Sequence, residues 1–188
     1  MLPVELFTSV LSCKTCSPKC VLRDEQANVP QPGWLGRQYD RGALFIGQNP
    51  GARRDGSVQY SADMRYIDAL REVKDQASLT TLLDVMHRSM QAFVMYRHYI
   101  PTELFDEVAI INVVRCRTTG NVAPITDVVR NCRQHLERWL DVLRPRAVVF
   151  NGVWAEREVA AVTRQRGLPN ETINRQRSLS RDYCNRSG

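Results

Sequence analysis

Ala43–Gly51, ALFIGQNPG, runs five apolar or small residues into a tight Gly/Pro turn that carries two adjacent amides. A short, nearly continuous apolar run that stops at a turn is the pattern of a strand buried on both faces. Two further runs have the same form: Val108–Val114, VAIINVV, and Ala147–Gly152, AVVFNG. Each closes in a Gly, an Asn or a polar turn, as buried strands of a parallel sheet do. Gly47 and Gly51 leave the first turn open to close approach by a ligand, with Gln48 and Asn49 held over it.

Helical patterns fill the intervals. Residues 1–12 form a short amphipathic helix, and 61–99 predicts two helices with a break near 76–79. Residues 126–143 place Val128, Val129, Cys132, Leu136, Trp139, Leu140 and Leu143 at helical spacing. Thr126 is the expected N-cap of that helix, with Asp127 in its first turn. Residues 154–167 predict another helix, stopped by Gly167 and Pro169. The Gly/Pro-rich segment 24–42 reads as an irregular connection. Strands alternating with helices predict an α/β fold: a three-layer α/β/α sandwich around a mainly parallel central sheet.

A chain of 188 residues is long enough for one domain with a substantial core, so residues 1–188 are expected to form a single domain. Within it lie a cysteine-bearing segment at about 10–42 and a basic tail at about 168–188. No apolar run approaches the roughly 18–20 residues that span a bilayer. The first residues, MLPVELFTSVLSCK, lack a basic leader region. A cytoplasmic protein with no membrane partner is expected, with a monomer as the default.

The formal net charge is +6. Residues 163–188 hold Arg164, Arg166, Arg175, Arg177, Arg181 and Arg186 against Glu171 and Asp182. Such a balance favours a polyanionic partner, nucleic acid first, through phosphate pairing and counterion release. A solvated basic surface is the alternative.

Of six cysteines, Cys13 and Cys16 form a C-x2-C pair in a loop, the spacing that lets two thiolates grip one metal. Cys116 follows a predicted strand, and Cys132 lies in the first turns of the helix from 126. Four thiolates from two such pairs suit either tetrahedral zinc or a [4Fe–4S] cluster. Separately buried cysteines packing as small hydrophobes are the other reading. His87, His98 and His135 fall in helical patterns and read as structural or surface residues.

Five segments in order resemble one family: CKTC near the start, FIGQNPGARRDG, INVVRCRTTGNVAP, RNCRQHL and RPRAVVFNGVWA. Together they are similar to the iron–sulfur branch of the uracil-DNA glycosylase superfamily, family four and its relatives, over roughly residues 10–160. The resemblance implies a glycosylase-type sandwich with a structural [4Fe–4S] cluster on Cys13, Cys16, Cys116 and Cys132. Cys20 and Cys184 are left over, and Cys20 is near enough to Cys16 to rival it as a ligand.

The implied activity is hydrolysis of the N-glycosidic bond of uracil, or a related damaged base, in single- or double-stranded DNA. The implied setting is the nucleoid. The implied water-positioning residue is Asn49, beside Gln48, where iron–sulfur members tend to carry an acid. A neutral amide orients water but does not act as a base near neutral pH. Asp55 is the one carboxylate left in that loop.

Asn112 is implied as the uracil reader, its amide matching O4 and N3–H. Tyr60 stands where a stacking aromatic is expected. A His-Pro element on a late loop is missing, since no His follows His135. Arg177, Ser178, Ser180 and Arg181 are the replacement candidates for phosphate and base contacts. The rival reading is a non-catalytic nucleic-acid or uracil-binding protein that kept the fold. A third is a metal-stabilised α/β protein acting through partner contacts.

Overall fold

The structure is a computed structural model that describes residues 3–17, 21, 28–50, 61–89, 100–118 and 122–173. Its strands are β1 (Trp34–Leu35), β2 (Ala43–Gly47), β3 (Ala109–Asn112), β4 (Ala147–Asn151) and β5 (Asn170–Ile173). They form one sheet in the order β1-β3-β2-β4-β5. β2 runs parallel to both β3 and β4, β4 runs parallel to β5, and β1 lies antiparallel on β3. The helices are α1 (Val4–Leu11), α2 (Ser61–Glu72), α3 (Gln76–Ser89), α4 (Thr126–Leu143) and α5 (Val153–Gln165). A 3-10 turn at Thr102–Glu107 leads into β3.

The three runs read as strands are therefore strands, and the sandwich follows from their burial. Leu44, Phe45 and Ile46 are all buried. Successive strand residues face opposite sides, so β2 is covered on both faces. The architecture is a mainly parallel three-layer α/β sandwich.

α4 shows how the remaining core is organised. It buries Val128, Cys132, His135, Leu136, Trp139, Leu140 and Leu143 along one face. Trp139 meets Phe7 of α1 with ring centroids 5.5 Å apart and planes tilted by 53°, a favoured aromatic geometry. α5 stops as its sequence requires. Gly167 adopts φ +65. Its N–H reaches the Arg164 carbonyl at 2.9 Å, and that of Leu168 reaches Thr163 at 3.1 Å. This is a Schellman ending.

Four details differ from the sequence reading. Thr126 is not an N-cap: the Ile125 carbonyl already accepts the Val129 N–H at 3.1 Å, so Ile125 holds the cap position without a side-chain bond. The break in 61–89 falls at Val73–Asp75, slightly earlier than expected. There Asp75 Oδ1 accepts the Ser78 N–H at 2.9 Å while Ser78 Oγ accepts the Asp75 N–H at 3.0 Å, a reciprocal cap that starts α3.

The segment read as an irregular connection contains β1, and the basic tail begins with β5. β1 is two residues long, and β5 is polar and partly exposed. Neither carries an alternating or continuous apolar signature. The expected helix at 90–99 lies outside the described residues. Among those described, no helix is long and apolar enough to cross a membrane.

Candidate active site and cysteine centre

The sheet's register brings two of the singled-out segments together. Gly47 pairs with Asn112 on the last rung between β2 and β3. The zipper continues past the strands: the Val113 N–H reaches the Gly47 carbonyl at 2.8 Å and the Val114 N–H reaches Gln48 at 3.0 Å. The amide-bearing turn and Asn112 thus share one rim, at the carboxyl ends of the middle strands. From β2 the chain departs towards β3, on one side, and from β4 towards β5, on the other. That reversal marks the crevice where open α/β sheets take ligands.

Gln48, Asn49 and Asn112 are all partly accessible, whereas Gly47 is buried. The side-chain amide of Asn49 donates from Nδ2 to Thr118 Oγ1 and to the Pro50 carbonyl, both at 3.2 Å. Thr118 in turn donates to the Val122 carbonyl at 2.6 Å. Gly51, Tyr60 and Asp55 lie outside the described residues, as do Arg177, Ser178, Ser180 and Arg181.

The cysteine loop begins four residues beyond Asn112. Cys16, Cys116 and Cys132 are buried and Cys13 is half-buried, all four as free thiols. Burial pushes the Cys132 thiol up to about 12. The Arg115 backbone N–H bonded to it opposes this, while Cys116 and Cys16 raise it further. Cys16 Sγ accepts from Asn131 Nδ2 at 3.7 Å. The thiols of Cys16 and Cys116 therefore lie within electrostatic reach of Cys132. Among the described residues, however, no three His, Cys, Asp or Glu side chains are gathered as a metal site. Cys20 and Cys184 lie outside the described residues.

Sequence reasoning overlooked the basic residues around these thiols. Arg115 is 1% exposed. Its Nη1 donates to the Pro32 carbonyl at 2.6 Å, and its guanidinium carbon stands 5.2 Å from the Trp139 ring centroid. Among the described residues its Nε and Nη2 have no partner, nor do Arg117 Nε and Nη1, His135 Nε2 or Trp139 Nε1. Burial lowers the Arg115 pKa to about 10, with Cys132 opposing the shift. Burial first, then the Arg115 and Arg138 charges, holds His135 down at about 4.

The signal for Arg115 and Arg117 was present in VVRCRTTG, where two cations interrupt an apolar run around Cys116. Thr118 and Asn151 gave none. Asn151 ends β4 with its Oδ1 buried and without a partner among the described residues. A groove between α1 and α2, lined by Thr8, Leu11, Val29 and Leu70, shares no residue with the rim.

An open, mainly parallel sheet with polar side chains at the ends of its central strands defines a class of α/β proteins that receive ligands at that edge. Residues 35–181 match the sequence model of the Uracil DNA glycosylase superfamily, and the chain belongs to it. Over 144 residues it is 26% identical to the Type-4 uracil-DNA glycosylase of Sulfurisphaera tokodaii. That alignment takes in 76% of this chain and 51% of the relative, so the chain spans about half of that enzyme's length.

Proposed function

We propose that the protein is a monofunctional DNA glycosylase that hydrolyses the N-glycosidic bond of uracil, or a related damaged base, in DNA. The observation that carries this is the Gly47–Asn112 register, which sets the amide turn beside the candidate base reader. Superfamily membership and the similarity to a type-4 enzyme support the same reading.

In this account the target nucleotide is flipped out of the stack into the rim. Asn112 reads the base through O4 and N3–H, with Gly47 and Gly51 allowing close approach and Tyr60 stacking. Asn49 holds the water, assisted by Gln48. The water oxygen bonds to the sugar C1′ as the C1′–N1 bond breaks. The bonding pair leaves with the base, and the water's surplus proton passes to bulk solvent. With no carboxylate at positions 48 or 49, the leaving group's own stability as an anion contributes much of the acceleration, and donors aimed at it supply the rest. Arg177, Ser178, Ser180 and Arg181 are the proposed backbone contacts.

Cys13, Cys16, Cys116 and Cys132 are the proposed ligands of a [4Fe–4S] cluster, with zinc as the alternative. The donor chemistry fits: three of the thiols are buried, and Arg115 beside them carries two buried donors without a partner among the described residues, which an anionic centre would satisfy. When bound, the cluster supplies a cross-link between the N-terminal loop and the segment after β3. The proposed setting is the cytoplasm, with the chain acting as a single-domain monomer on DNA.

The test is incubation with uracil-containing single- and double-stranded oligonucleotides, followed by alkali. Strand cleavage at uracil is expected. Retained binding with no cleavage at large enzyme excess would instead favour a uracil-binding protein, the reading that the neutral Gln48 at the acid's usual place supports.

A further inference from the structure

We propose that Thr118 is a positioning residue for catalysis: its hydroxyl fixes which end of the Asn49 side-chain amide faces the water. The inference rests on the role given to Asn49 above and deepens it.

A side-chain amide is nearly symmetric in shape. Rotating it by half a turn exchanges donor and acceptor at little steric cost, so hydrogen bonds must decide between the two. At Asn49 they do. The single proton of the Thr118 hydroxyl is committed to the Val122 carbonyl at 2.6 Å. Towards Asn49 that hydroxyl therefore offers only lone pairs. The second neighbour, the Pro50 carbonyl, is likewise an acceptor, and each lies 3.2 Å from Nδ2.

Flipping the amide would break both bonds and set Oδ1 against two oxygens. The favoured state keeps Nδ2 on Thr118 and Pro50. Oδ1 then turns away from them, with no donor to it among the described residues. An acceptor held in that way takes a water O–H and leaves the water's lone pairs free for attack. Thr118 is itself 2% exposed, so bulk water does not compete for its hydroxyl. It also stands two residues after Cys116, so whatever pins the cysteine loop also pins this hydroxyl.

The test is a double-mutant cycle on single-turnover uracil excision, using wild type, Asn49→Ala, Thr118→Val, Thr118→Ser and Asn49→Ala/Thr118→Val. Thr118→Val should slow the chemical step by about tenfold, with DNA affinity unchanged. Thr118→Ser should restore most of the rate. The double variant should be no slower than Asn49→Ala, because the valine change acts only through that amide. Thermal melts and iron content accompany each rate, and Thr118→Ala replaces valine if the latter does not fold.

A Thr118→Val rate equal to wild type, additive losses in the double variant, or no rescue by serine would each overturn the inference while leaving Asn49 in place. Wild-type activity unaffected by Asn49→Ala, or no wild-type activity, would instead remove the reading beneath it.

Discussion

Gly47 and Asn112 face each other on the final rung of a parallel ladder, so a two-strand register alone sets the amide turn beside the proposed base reader. The pairing predicts that the two segments act as a unit. Asn112→Ala, which removes side-chain atoms at a partly exposed strand end, should leave the melting temperature nearly unchanged. It should cut uracil excision by well over tenfold, at about 1.4 kcal/mol per decade. Parallel melting and rate measurements check this.

Asn49 and Gln48 do not titrate. The single-turnover excision rate should accordingly be flat between about pH 5 and pH 8, since no general base is being protonated. An acidic limb with a carboxylate midpoint would transfer the water-activating role to Asp55. A pH–rate profile decides.

His135 gives a separate pH prediction, for stability. Its folded-state pKa, about 4, lies below the ordinary value of 6.5. Between those values the unfolded chain binds more protons, so stability rises with pH there. The contribution is present above pH 6.5 and is lost as the pH falls through about 4. Thermal melts at neutral and acidic pH should show a larger drop for wild type than for His135→Asn. Equal drops would contradict the assignment.

Arg115→Met tests the cysteine centre by its sign. A buried cation with orphaned donors is costly, and its replacement by an apolar side chain of similar volume is often neutral or stabilising. Beside an anionic cluster the same change should lower both the melting temperature and the cluster content, read as absorbance at about 400 nm. A colourless, stoichiometrically zinc-loaded protein would refute the iron–sulfur assignment.

How much was legible beforehand follows from the kind of signal each element carries. β2, β3 and β4 were readable because Leu44–Ile46, Ala109–Ile111 and the alternate Val148 and Phe150 bury apolar side chains. α4 was readable from its apolar stripe, which runs from Val128 to Leu143. β1 and β5 exist through backbone pairing with β3 and β4, and two residues, or three polar ones and an isoleucine, leave no periodicity to detect.

At the candidate site, Asn49 and Asn112 stand just after the apolar stretches Ala43–Gly47 and Val108–Ile111, and the family resemblance assigned them their proposed roles. Thr118 could not, since its meaning lies in a hydrogen bond to a residue 69 positions earlier. In the sequence Arg115 is only a cation in an apolar run. Its burial becomes intelligible only with Trp139 and Pro32 in place around it.

The central claim is that an amide on the β2 turn suffices for base excision. Single-turnover release of uracil from a single-stranded oligonucleotide, wild type against Asn49→Ala, tests it most directly. The account predicts measurable wild-type release and a loss of more than about tenfold in the variant. Equal rates in the two proteins, or no release by either with DNA bound, would contradict it.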